Sequence, residues 1–187
     1  MRKLSFFLVM VLAGTTIQAQ STWKSDNAHS KVGFSITHLM ISEVEGSFGE
    51  FDITATAEDD FDNASFDVDI KVASIDTDNE NRDNHLKSPD FFDAEKYPSI
   101  TFKSTSFEKT GDKTFTLTGD LSMHGVTKSV TLDGKVNGVI TDQRSQKLKA
   151  GLKLTGTVDR LEFGVGGDTP TLGDEVEFTV NLEMAQQ

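Results

Sequence analysis

Arg82, Asp83, His85 and Ser88 stand within a few positions of one another and carry the side-chain types of acid/base and nucleophilic chemistry: a carboxylate, an imidazole and a hydroxyl. A hydrolase could be read from them. Nothing else in the chain supports that reading, since no nucleophile elbow of the G-x-S-x-G type and no glycine-lined oxyanion turn accompanies them. An Arg beside an Asp serves equally well as a structural pair fastening one segment to another, and that is the better reading. Arg160, followed by Glu162, Phe163 and Gly164, poses the same choice between anchoring a late strand and offering a polar contact to a ligand oxygen. Metal chemistry is not indicated. The four histidines, His29, His38, His85 and His124, include no two at the spacing that brings ligands together on one strand or helix turn. His38 falls in step with Phe34 and Ile36 at a strand end, so it is either a hydrogen-bonded core residue or one that tips inward to meet a ligand head group. His124 beside Gly125 reads as a turn residue.

The elements that hold these residues are written in period 2. Val32, Phe34, Ile36 and His38 alternate with Gly33, Ser35 and Thr37; Phe66, Val68, Ile70 and Val72 alternate with Asp67, Asp69 and Lys71. Each such run is a strand with one apolar and one wet face. The pattern returns at Phe115 and Leu117, at Leu148, Ala150, Leu152 and Leu154, and at Val176, Phe178, Val180 and Leu182. Turn signals separate the runs at Glu58-Asp59-Asp60, Thr110-Gly111-Asp112, His124-Gly125, Asp133-Gly134, Asn137-Gly138 and Gly166-Gly167-Asp168. Only the stretch from Asp76 to Ser99 is long enough for a crossover, so the sheet is expected to be almost wholly antiparallel, with about eight strands. Glycines at Gly33, Gly46, Gly49 and Gly151 suit the bends of a closed barrel; a sandwich is the alternative. Within the long stretch, Ser88 and Pro89 suggest an N-cap and first helical residue, predicting a short helix near residues 82–95 that carries Phe91 and Phe92 across an apolar opening.

Composition narrows the field further. The chain has no cysteine, which removes disulfides, thiol catalysis and thiolate metal sites. Its formal charge is −12, spread over isolated Asp and Glu, so nucleic acid is not an expected partner. Met1-Arg2-Lys3 followed by the apolar Leu4 to Leu12 is too short to span a bilayer and reads as a secretory signal, residues 1–19, cut after Ala19. No stable membrane insertion is expected, and export would deliver the protein to the periplasm. The remaining residues, about 168, suffice for one domain burying roughly 70 % of its unfolded surface. Fourteen phenylalanines stand against one Tyr and one Trp. An interior so rich in aromatic surface and so poor in donors suits a dry core or an oily ligand.

In order and spacing the chain resembles the YceI-like, polyisoprenoid-binding family of exported bacterial proteins. The landmarks are Trp23, Asp26-x-x-His29-Ser30-x-Val32-x-Phe34-x-Ile36-x-His38, Gly46-x-Phe48-Gly49-x-Phe51 and Ile75-x-Thr77. They continue through Arg82-Asp83-x-His85-Leu86-x-Ser88-x-Asp90-Phe91-Phe92, Tyr97-Pro98-x-Ile100-Thr101-Phe102 and Leu117-x-Gly119-x-Leu121-x-x-His124-Gly125-Val126-Thr127-Lys128. Arg160-x-Glu162-Phe163-Gly164 and Gly173-Asp174-Glu175-Val176 complete the set, which covers nearly all of the mature sequence. The resemblance implies an all-β, lipocalin-like antiparallel barrel of about eight strands with a hydrophobic tunnel for a long isoprenoid chain. An isoprenoid quinone, a polyprenyl lipid or a similar fatty amphiphile would be the ligand, with no catalytic cofactor, and a homodimer is implied as well. Eight strands enclose a lumen that side chains can fill or that can hold one slender ligand.

By strand parity the inward candidates for ligand contact are Phe34, Ile36, Phe66, Ile70, Phe102, Phe115, Leu152 and Phe178, joined by His38 and by Phe91 and Phe92 of the non-strand segment. Arg82, Asp83, His85 and Arg160 are the polar candidates for a head group. The leading expectation is a periplasmic carrier or binding protein without enzymatic activity. The rival is a periplasmic stress or structural factor whose core is filled and whose exterior binds a protein.

Overall fold

Each period-2 run forms a strand in the computed structural model, which describes residues 20–187; the expected signal, residues 1–19, lies outside them. The strands are β1 (Ser21–Ser25), β2 (Lys31–His38), β3 (Ser42–Phe48), β4 (Phe51–Ala57), β5 (Ala64–Lys71), β6 (Ile75–Asp76), β7 (Ser99–Lys109), β8 (Thr114–Met123), β9 (Val126–Thr141), β10 (Leu148–Asp159) and β11 (Leu172–Gln186), with one helix, α1 (Glu80–Lys87), between β6 and β7. All pairings are antiparallel. Three pairs of consecutive short strands, β1 with β2, β3 with β4 and β5 with β6, each form one bent stave, so the eleven strands build a closed barrel of eight. The barrel closes at β11, which pairs with β10 along one edge and with β2 and then β1 along the other, from Val180↔Val32 to Met184↔Ser25. Closure leaves no long strand edge to template aggregation.

Two turn readings fail. Asp133-Gly134 and Asn137-Gly138 lie inside the sixteen-residue β9 rather than between strands. The Phe115 ring of β8 occupies the space a side chain at Gly134 would fill, and Gly138 sits at a register shift, opposite Gly151 and next to the extra residue Asn137. A glycine followed in space by a neighbour's ring, or set at a bulge, is used for close approach and curvature rather than for reversal.

The helix also starts earlier than its proline suggests. Asn79 is the N-cap, its side chain accepting the Arg82 N–H at 3.0 Å, and Ser88 is the C-cap. Ser88 is held extended (φ −73°, ψ 168°), as a residue preceding proline prefers, so Pro89 ends the helix instead of opening it. Phe91 and Phe92 therefore sit on the turns after α1, not on it.

The inward faces divide the barrel lengthwise. Toward one end Trp23, Ala57, Ala64, Leu152 and Met184 are buried against one another, with Trp23 edge-on to Phe61 at 4.7 Å between ring centres, and beyond them a second pocket of 530 Å³ opens between Phe61, Phe107, Phe115 and Leu148. The other end is open, and there the turns after α1 and the segment between β10 and β11 border it.

Candidate functional site

A cavity of 520 Å³ occupies the open half of the barrel. Phe34, Ile36 and His38 of β2 face it, as do Phe66 and Ile70 of β5, Phe102 of β7 and Phe178 of β11. Phe91 and Phe92 close over it from the turns after α1. Phe92 is edge-on to Phe48, 6.3 Å away, and Phe48 in turn leans on Phe34 at 5.7 Å. The lining is apolar apart from the side chains His38, Arg82, His85, Arg160, Thr169 and Thr171, which come from the end of β2, from α1, and from the end of β10 and the segment after it. A slot of this shape and chemistry accepts a hydrocarbon chain along its length and a polar group at its mouth.

Two expected ligand contacts are not in the lining. Leu152 is buried in the packed end, and Phe115 stacks on Phe107 at 4.6 Å on the same side. Parity put both on the inward face correctly, but depth along the barrel is a matter of stagger between staves, which period 2 does not encode. Parity also reaches Leu154 and Val158, which follow Leu152 on the same face and do line the cavity. Phe48, Leu121, Val130 and Leu172 line it as well.

The rings leave the lumen open because they lie over glycines of its wall. Phe34 spans the site of the missing side chain at Gly46, Phe102 that at Gly119, and Phe178 that at Gly156, where a Cβ would stand 2.6 Å from the Phe178 ring. In each pair the glycine belongs to a neighbouring strand, so the ring lies against the wall instead of projecting to the axis.

The polar candidates part company. Arg82 and Asp83 do not bind each other: both clasp the buried Thr77. Asp83 Oδ1 accepts the Thr77 N–H at 2.9 Å and its hydroxyl at 2.6 Å, while Arg82 donates from Nε to the Thr77 hydroxyl at 2.8 Å and from Nη2 to its carbonyl at 2.7 Å. Asp83 is not part of the lining, whereas Arg82 is, and its Nη1 is not drawn into the clasp. His85 packs edge-on to Phe91 and faces Asp90 at 3.4 Å, and Ser88 donates to the His85 carbonyl at 2.7 Å. Carboxylate, imidazole and hydroxyl thus point to separate partners, and no relay runs through them. Arg160 is 3 % exposed. It donates from Nε to Gly173 O, from Nη1 to Val165 O and Gly167 O, and from Nη2 to Leu172 O and Asp174 Oδ1. Those are all five donors that a guanidinium has, so Arg160 braces the β10–β11 segment and keeps none for a head group. Glu162, its expected companion, pairs with Lys128 at 3.0 Å instead.

His124 has a positive φ of 52° and takes the turn role, with Nδ1 3.2 Å from the Phe163 carbonyl and its ring edge-on to Tyr97. Away from the cavity, the β1–β2 bend brings His29 and Asp26 beside Glu183 of β11, a juxtaposition that spacing did not reveal. Lys149 already answers that charge, its ammonium 2.7 Å from Glu183. The hydrogen bond that Lys149 donates to Glu183 holds the Lys149 pKa above its ordinary value, and the His29 ring holds Asp26 below its own.

Known proteins share this geometry. The model of the YceI-like domain matches residues 23–184. Protein YceI of Escherichia coli O157:H7 is 37 % identical over 185 residues, covering 98 % of this chain and 96 % of the relative. The crystal structure of the Campylobacter jejuni YceI protein superposes with a TM-score of 0.75 at 36 % identity, over 87 % of this chain and 96 % of that one. A polyisoprenoid binding domain from Saccharophagus degradans shares the fold at a TM-score of 0.65 and 11 % identity, over 88 % of this chain and 98 % of that one.

Proposed function

The chain belongs to the YceI-like family, and from that premise we propose that it is an exported, periplasmic binding protein. It holds the tail of an isoprenoid quinone, a polyprenyl lipid or a similar long-chain amphiphile in its barrel and carries it through water. The observation that carries this reading is the open apolar half of the lumen. At about 30 Å³ per water-sized group, 520 Å³ holds roughly 17 methylene equivalents. At about 0.8 kcal/mol each these give roughly 14 kcal/mol of gross transfer energy. If ordering the tail and losing its tumbling cost about 6 kcal/mol, about 8 remain, which is micromolar binding. No ionic contact is required.

The name of the Saccharophagus degradans neighbour, a polyisoprenoid binding domain, supports the ligand class. At the mouth, Arg82 through its Nη1, His38 and His85 are the groups suited to a polar head. The protein acts without catalysis on this reading, since Asp83, His85 and Ser88 are each engaged elsewhere. A filled-core factor is disfavoured by the same cavity. Organic extraction of protein purified from its own host, followed by mass spectrometry, tests the proposal: a lipid near one per chain is expected. Repeated recovery without lipid, together with failure to take up added polyprenol, would overturn it.

A further inference from the structure

The turn joining β2 to β3 is made of Leu39, Met40 and Ile41, which are 49 %, 75 % and 85 % exposed. Leu39 and Met40 both hold positive φ, 51° and 59°. Asparagine and glycine adopt that conformation readily in tight hairpins, and bulky side chains adopt it only against strain. The Ile41 N–H closes the turn on the His38 carbonyl at 3.2 Å. None of the three side chains belongs to the core. A strained, water-exposed apolar apex does nothing for folding that an Asn-Gly pair would not do better, so its use lies outside the molecule.

Its position indicates that use. His38 at the root of the turn and Val44 beyond it on β3 both line the cavity. The Leu39 N–H donates to the carbonyl of Thr171, another lining residue, at 2.8 Å. The turn closes directly on His38, so its apex stands only a few ångströms past the mouth. The tip thus adjoins the rim of the lumen.

We propose that Leu39, Met40 and Ile41 form a docking finger that dips into the hydrocarbon boundary of a zwitterionic phospholipid bilayer, letting a lipid tail pass between membrane and lumen without crossing water. The proposal rests on the lipid-tail reading of the cavity. Three side chains expose a few hundred Å² at most, short of the ~800 Å² per partner that a stable protein interface buries, so the tip by itself does not hold a second copy. Reversible seating at a bilayer surface needs no such area, only apolar side chains able to enter it. The charge around the tip selects the surface. No Lys or Arg occurs from residue 32 to 70, and Glu43, Glu45 and Asp168 are exposed nearby, which disfavours an anionic leaflet and leaves a neutral one.

The test is flotation of the purified protein with phosphatidylcholine vesicles, comparing it with the variant Leu39→Asn/Met40→Gly/Ile41→Thr. The expected result is that the floated fraction of the variant falls about tenfold, while its thermal midpoint rises because the turn strain is relieved. Transfer of a fluorescent polyprenol from vesicles to protein should slow by a similar factor, with equilibrium uptake of the same probe from detergent micelles unchanged. Equal flotation of the two proteins overturns the proposal, as does a parent that does not float, or a parent dimer in sedimentation that the variant abolishes. Failure of both proteins to take up the probe from micelles would sink the lipid-tail reading instead, and flotation would still decide the finger.

Discussion

Arg160 shows what a buried cation means when all its donors are counted. Replacing it with Met keeps most of the apolar stem and leaves the carbonyls of Val165, Gly167, Leu172 and Gly173 without their partner. An orphaned buried acceptor costs about 1–3 kcal/mol, and here the Val165 carbonyl is buried while the other three are partly so, so Arg160→Met should lower stability by about 2–4 kcal/mol. Urea unfolding measures this, and an unchanged midpoint would refute the bracing role. Such a role was half legible. The sequence marked Arg160 as an anchor or a ligand contact, but its partners are backbone carbonyls whose positions depend on the path of the following loop. The same holds for Arg82 and Asp83, which look like a pair on paper and meet only through Thr77.

Paired strands decide how wide the lumen is. Gly156 faces Phe178 across the β10–β11 ladder, and a methyl group there would stand 2.6 Å from the Phe178 ring and 3.0 Å from Leu132. Gly156→Ala should therefore tip the ring off the wall into the lumen, costing about 1–3 kcal/mol and shortening the longest prenol the protein retains. Titration with a ladder of prenol lengths checks this, and an unaltered length limit would show that the ring does not set the bore. At this scale the sequence was most legible where periodicity speaks, since alternation follows directly from the strand's two faces. It misled where one residue type serves two ends: Pro89 begins many helices but here follows one, and the glycines of β9 serve contact and curvature, not reversal.

The molecule as a whole carries its tuned charges on the outside, near the closing seam and the loops. Asp26, bonded to His29, and Asp142, accepting the N–H groups of Ser145 and Arg144, titrate below the ordinary 3.8. Their contribution to stability is complete above that value and is lost as pH falls through the lowered ones. Lys149, bonded to Glu183, and Lys109, bonded to Asp62, titrate above 10.5. Their contribution is complete below that value and lost as pH rises past it. Urea midpoints should then be flat between about pH 5 and 9 and fall outside that window. A steep change near neutrality would contradict this assignment. Barrel class and strand count were foreshadowed by alternation, turn spacing and family landmarks; whether the lumen is open, and at which end, was not, because that follows from where the rings lie and from how the staves slide past one another. The seam has a temporal consequence. Because β11 must meet β1 and β2, the first-made and last-made parts of the chain are hydrogen-bonding neighbours, and contact order is high. Synthesis has to reach β11 before closure can occur, and formation of such distant pairings is slow, so a nascent chain stays extensible until its last strand has been made.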